Sequence, residues 1–160
     1  MAKVLFYDIE TAPNLAYVWG HYDQNVIRQH REWYMMCFSY KWEGTQTTKV
    51  VSLPDFDLYD EDPENDREVV QALWDLIDEA DVVVAHNGDK FDMKKANARF
   101  IVHEMGPPAP VQQIDTLKAS KRYFQFNSNK LDDLGTHLTL GNKAATGGFA
   151  LWEGCMNGDE

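Results

Sequence analysis

Hydrophobic and polar positions change period partway along this 160-residue chain. Lys3 to Tyr7 is a short apolar run that reads as a buried strand. Leu15–Trp19, Met35–Trp42 and Thr48–Leu53 are β-rich segments separated by polar stretches, with Gly44 in the last gap, and they predict an antiparallel meander. The spacing then turns helical. Asn65 followed by Glu68 supplies the N-cap and third-position acid of a helix start, and Val69, Val70, Leu73, Trp74, Leu76 and Ile77 form a stripe ending near Glu79. Val82–Val84 predicts a second buried strand. Asp92 opens another helix, with Met93, Ala96, Phe100 and Ile101 on one face, stopped by Gly106-Pro107-Pro108. A strand over Val111–Ile114, a helix over Leu117–Phe124, and a Ser128-capped helix carrying Leu131, Leu134 and Leu138 and closed near Gly141 complete the order.

A meander followed by α-β-α-β-α predicts an α/β fold. Its mixed sheet combines antiparallel and parallel strands flanked by helices, with the first strand between the meander and the Val82 strand. The length suits one domain over residues 1–160 and allows a proper core. No internal repeat argues otherwise. No apolar stretch approaches the roughly 18 residues that cross a bilayer, so no membrane partner is expected. Met1-Ala2-Lys3 leads into a strand without a signal-peptide pattern, and Cys37 and Cys155 lack the C-x-x-C spacing of a zinc site. A cytoplasmic, reducing location is the expectation.

Charge qualifies the picture. A net charge of −11 argues against holding nucleic acid by bulk electrostatics, although it says little about a local site where divalent cations reverse the sign. Much of the acidity falls between Asp55 and Glu68, read as a solvated loop and helix start. Basic residues gather at Lys90, Lys94, Lys95 and Arg99, and again at Lys118, Lys121, Arg122 and Lys130. These clusters form either a substrate path, with Lys94 and Lys95 the candidates for contact, or ordinary solvated helix faces.

The candidate chemistry begins at Tyr7-Asp8-Ile9-Glu10-Thr11. Residues at i and i+2 on a strand share a face, so Asp8 and Glu10 repel unless a cation lies between them. Ala85-His86-Asn87-Gly88-Asp89-Lys90-Phe91-Asp92 follows the second buried strand. If the Lys3 and Val82 strands are parallel neighbours, their carboxyl ends bring Asp8, Glu10 and Asp92 to one edge, where open α/β sheets form ligand crevices. Two divalent ions held there suit phosphodiester cleavage, and carboxylate ligands suit Mg²⁺ or Mn²⁺. Plainer roles stand beside these: Asp92 as a helix N-cap, Asp89 as a turn residue, Asp115 as a cap and His86 as a packed histidine. The histidines have no i, i+4 pair, and neither a P-loop nor a nucleophile elbow is present. Core packing accounts for most tryptophans; Tyr17 and Trp19, just past the first motif, are the candidates to stack on bases.

At these residues the chain resembles the DEDD family of 3′–5′ exonucleases, which includes DNA-polymerase proofreading domains and has a ribonuclease H-like fold. Asp8-Ile9-Glu10 is similar to the family's D-x-E motif, and Asn87 to Asp92 to its N-x-x-x-F-D motif. Ile114-Asp115-Thr116-Leu117 and Asn129 to Leu134 resemble later segments of phage and prokaryotic members. The resemblance implies that Asp8, Glu10 and Asp92 are catalytic metal ligands, with Thr11, Asn87 and Phe91 at the substrate edge. It also implies two Mg²⁺ or Mn²⁺ ions, single-stranded DNA or nucleic-acid 3′ ends as substrate, and a bacterial or phage-infected cell as the setting.

The third family motif, a Tyr or His followed four or five residues later by Asp, has no match after Asp92. His137 meets Gly141 and Asn142 at those offsets, and Tyr123 meets Asn127 and Ser128. The expectation is a domain truncated at its C-terminal end, weak or inactive alone. Its fourth carboxylate would come from a downstream polypeptide docking on Phe149, Leu151 and Trp152, or from Glu153, Asp159 or Glu160 if the tail folds back. A non-catalytic nucleic-acid-binding module and one part of a split exonuclease are the alternatives.

Overall fold

Strand β1 (Val4–Thr11) runs through the middle of the sheet and places its two acids at the carboxyl end. The computed structural model describes residues 2–144 and 147–158. β1 pairs antiparallel with β4 (Met35–Trp42), which pairs antiparallel with β5 (Lys49–Ser52). On its other side β1 pairs parallel with β6 (Val82–Ala85), and β6 with β7 (Gln112–Asp115). The order is β5-β4-β1-β6-β7, the mixed sheet that the element order predicts.

Alternation along β1 decides which face is core. Leu5, Tyr7 and Ile9 are buried, with Phe38, Val83 and Ala85 beside them. Helices α2 (Arg67–Glu79) and α3 (Asp92–Val102) cover that face with Val69, Val70, Leu73 and Ile77 and with Met93, Ala96 and Phe100. Each large side chain so buried contributes roughly 1.5–3 kcal/mol. On the opposite face, Phe6 and Ile114 are each 42% exposed.

α2 is preceded by Asp66 rather than Asn65, and the Asp66 carboxylate turns into the core instead of capping. Its Oδ2 accepts the Met35 N–H and the Arg99 Nε–H, both at 2.7 Å, and its Oδ1 lies 2.6 Å from His103 Nε2. This fully buried acid joins β4, α2 and α3, so the acidic stretch is not solvated throughout. A short helix α1 (Leu58–Glu61) lies within the same stretch.

Three further expectations are corrected. The Leu15 segment stays out of the meander: β2 (Leu15–Tyr17) pairs with β3 (Arg28–Arg31) in a separate two-stranded sheet. β3 reads Arg-Gln-His-Arg and has no apolar signature to reveal it. Ile101 is exposed, one position past the buried stripe of Met93, Ala96 and Phe100 and therefore rotated off it. Ser128 does not cap the helix over Leu131; α5 (Leu131–His137) starts after Lys130, and the Ser128 hydroxyl donates to the Asp133 carboxylate. α4 (Thr116–Tyr123) precedes α5, and α6 (Phe149–Asn157) closes the described chain. Among the described residues, no helix is long and apolar enough to cross a membrane.

Candidate active site

Backbone pairing carries β1 beyond its apolar run. Asp8 lies opposite Ser39 and Glu10 opposite Cys37 on β4, with a register shift between Glu10 and Thr11 where the strand ends. Asp8 and Glu10 therefore project from one face, as alternation requires. Asp92 arrives from elsewhere. It is the first residue of α3, only 1% exposed, and its Oδ1 accepts the Ile9 N–H at 3.1 Å. The start of α3 is thereby fastened to β1 between the two strand acids.

The turn joining β6 to α3 sets that position. Asn87 adopts a positive φ of 70° and its carbonyl accepts the N–H groups of Lys90 and Phe91. A Cβ on Gly88 would stand 2.6 Å from the Ala85 Cβ, so only glycine allows this close passage. Asp115 supports the turn from β7: its Oδ1 accepts from Asn87 N at 3.0 Å, Leu117 N at 2.9 Å and Lys118 N at 3.2 Å, capping α4 as well. Burial raises the Asp115 pKa, but backbone N–H groups outweigh it and hold the carboxyl below its ordinary value.

Asp8, Glu10 and Asp92 are all pushed toward the neutral acid. Burial is the main cause for each; for Glu10 the Asp8 charge adds to it. Asp92 is pushed up to about 6 by burial and by the Asp8 and Glu10 charges, against the lowering effect of the Ile9 N–H. Burial also lowers the Lys95 pKa. The Lys143 charge opposes the rise at both Asp8 and Glu10, and the His86 charge does so at Asp8, without overcoming burial.

A cavity of about 950 Å³ opens at this edge, lined among others by Asp8, Glu10, His86, Phe91, Asp132 and Lys143. A second cleft, about 570 Å³, starts at Thr11 and includes Trp33, Lys95, Lys143 and Trp152. Lys95 Nζ stands 3.6 Å above the Trp33 ring centroid. The structure thus brings Asp8, Glu10, Thr11, Phe91 and Lys95 around adjoining cavities, while Asp92 is buried behind Ile9 and lines neither. Asn87 contributes backbone to the turn, and Lys94 is exposed on α3 and lines neither cavity. Asp89 pairs with Lys118. His86 is held through both ring nitrogens, with Thr116 Oγ1 2.9 Å from Nδ1 and the Asn129 carbonyl 3.0 Å from Nε2.

Lys143 is at this edge without any sequence pattern to single it out, and Asp132 lies in the Asn129–Leu134 segment with no role assigned to it there. Lys143 lies in a polar stretch after Gly141 with no motif around it. α6 folds back beside Glu10, forming with Tyr34, Met36 and Cys37 a cavity of about 560 Å³. Glu153 is exposed on α6 and lines none of these three cavities. Asp159 and Glu160 lie outside the described residues.

The donor set is all oxygen, the chemistry of hard divalent cations. Among the described residues, no group of three or more His, Cys, Asp or Glu side chains is placed to hold a metal ion. Of the three acids, Asp8 and Glu10 border the open cavity, and oxygen donors of this kind suit Mg²⁺ or Mn²⁺ better than zinc.

A family model described as RNase H superfamily matches residues 5–151. No curated protein matches the sequence. Among solved structures, the chain is similar to the family B DNA polymerase from the hyperthermophilic archaeon Pyrobaculum calidifontis, at 15% identity and a TM-score of 0.67. The match covers 96% of this chain and 21% of that one, so the chain spans about a fifth of the polymerase's length and the likeness is one of fold.

Proposed function

The chain belongs to the RNase H superfamily, and from that premise we propose that it is a metal-dependent 3′–5′ exonuclease acting on single-stranded DNA or RNA ends. The observation that carries the reading is the attachment of Asp92 to the Ile9 N–H, which seats a third carboxylate against the strand bearing Asp8 and Glu10. The family match supports a nuclease-type function. Direction and substrate end rest on the motif resemblance.

In this reading Asp8, Glu10 and Asp92 would hold Mg²⁺ or Mn²⁺. When bound, such ions lower the pKa of a coordinated water and neutralise charge on the phosphoryl oxygens. Hydrolysis forms a bond from the water oxygen to phosphorus and breaks the bond from phosphorus to the leaving 3′ oxygen, which takes up a proton. The chain's own residues bind and orient. Lys143 presents positive charge to the phosphate edge, and Phe91 offers an apolar surface to the sugar. Lys95, resting on Trp33, meets the terminal phosphate or base beside Thr11.

A second reading has the chain as one part of a larger exonuclease, its fourth carboxylate supplied by another segment or chain. The 42% exposure of Phe6, on the β1 face that bears Asp8, favours it. The non-catalytic alternative separates from both by metal affinity, since a module without the chemistry need not bind Mn²⁺.

The test is release of nitrophenolate from thymidine 5′-p-nitrophenyl phosphate with Mn²⁺. The expected result is measurable turnover that Asp8→Asn lowers at least 100-fold. No turnover by the wild-type chain, with no Mn²⁺ binding by calorimetry, refutes the proposal.

A further inference from the structure

We propose that the β2–β3 hairpin is a second nucleic-acid contact, an arm on which bases of a single strand stack after leaving the cleft beside Thr11. The identity of the ligand rests on the nuclease reading; the site is additional to it.

Exposure is the first observation. Tyr17 is 60%, Trp19 89% and Tyr22 85% exposed. An indole left in water contributes nothing to the core, so its place on a projecting hairpin calls for something that covers it. Tyr17 meets His30 edge to face, with ring centroids 6.0 Å apart, and His21 lies beside Tyr22 at 6.4 Å. Leu15, Val18, Val26 and Ile27 are exposed on the same arm, so aliphatic surface accompanies the rings; the flat rings with polar tips, interleaved with histidine, are the part that suits bases.

Charge is the second. The chain carries −11 overall, yet between Glu10 and Glu32 the only acid is Asp23, set against Arg28, His21 and His30, with Arg31 paired to Glu64. Phosphate approaching the loop between β2 and β3 meets fewer carboxylates than along most of the chain.

Continuity is the third. Asn14 lines the Thr11 cleft, and its Oδ1 accepts from Gln29 Nε2 at 3.1 Å and from Trp33 N at 2.9 Å. Arg31 pairs with Glu64, and Ile27 N donates to the Tyr17 carbonyl at 2.9 Å. The base of the arm is thus fixed to the wall of the cleft that holds Trp33 and Lys95. A strand whose end lies at Asp8 and Glu10 would pass Trp33 and Lys95 in that cleft before reaching the arm that carries Trp19.

The experiment measures anisotropy of end-labelled dT20 in chelator, beside turnover of thymidine 5′-p-nitrophenyl phosphate, which is too short to reach the arm. The proteins are wild type, Trp19→Ala, Trp19→Phe and the double variant Trp19→Ala/Tyr22→Ala. Expected are at least ten-fold weaker dT20 binding by the double variant, binding within three-fold of wild type for Trp19→Phe, and unchanged small-substrate turnover. dT20 affinity within two-fold of wild type for both alanine variants overturns the proposal. If that result comes with a wild-type dimer that Trp19→Ala dissociates in ultracentrifugation, the arm belongs to self-association instead. Tight, Trp19-dependent dT20 binding with neither small-substrate turnover nor Mn²⁺ binding by calorimetry sinks the nuclease reading and leaves the arm standing.

Discussion

Asp92 Oδ1 accepts the backbone N–H of Ile9 at 3.1 Å, joining residues 83 positions apart in sequence. One carboxylate oxygen is thereby committed to holding α3 against β1. The acid sits where Asp8 and Glu10 add to the cost of its charge.

That cost gives the first prediction. Asp92→Asn keeps an acceptor for the Ile9 N–H and removes one of three adjoining anions. In chelator at pH 7 the variant should be more stable than wild type by about 1–2 kcal/mol, raising Tm by roughly 3–6 °C. Saturating Mn²⁺ should raise the wild-type Tm and leave that of the variant nearly unchanged. A variant that melts lower in chelator would show that Asp92 serves the fold alone.

Lys143 faces the same acids and competes electrostatically with any divalent cation they bind. Lys143→Gln should tighten Mn²⁺ binding roughly two- to five-fold at low salt, with the gain shrinking as salt rises. Cleavage should nevertheless fall about ten-fold, because charge near the phosphate is lost. Calorimetry and turnover on the same samples read both effects; weaker Mn²⁺ binding in the variant would remove Lys143 from this edge.

Asp115 provides a pH signature away from the proposed metal ligands. Its folded pKa lies below the ordinary value, so its contribution to stability is fully present above the unfolded pKa of about 3.9 and is lost as pH falls through the folded pKa. Asp115→Ala leaves the Asn87, Leu117 and Lys118 N–H groups without this acceptor and should cost about 1–3 kcal/mol at pH 7. The deficit should narrow below about pH 4. A deficit constant from pH 7 to pH 3 in urea titrations would contradict the capping role.

Much of this architecture is legible in the sequence, and the exceptions have physical causes. Met35–Trp42 forms a strand over the predicted range because its apolar and aromatic side chains report its burial. β1 continues four residues past the predicted end at Tyr7, because pairing with β4 carries through Asp8 and Glu10, which hydrophobicity cannot register. β3 is polar on both sides and leaves no pattern. Asp66 reads as one more solvated acid until Arg99 and His103, over thirty residues later, fold against it. The acids around the site are legible because a short motif places them at the end of an apolar strand. Lys143 is not, since only the fold brings it opposite Asp8.

The most direct measurement is degradation of a 5′-labelled single-stranded oligonucleotide in Mn²⁺ by the chain and by its Asp8→Asn and Glu10→Gln variants. The account predicts a ladder shortening from the 3′ end that both variants abolish. A ladder that persists in both, or internal cuts without directional shortening, would contradict it.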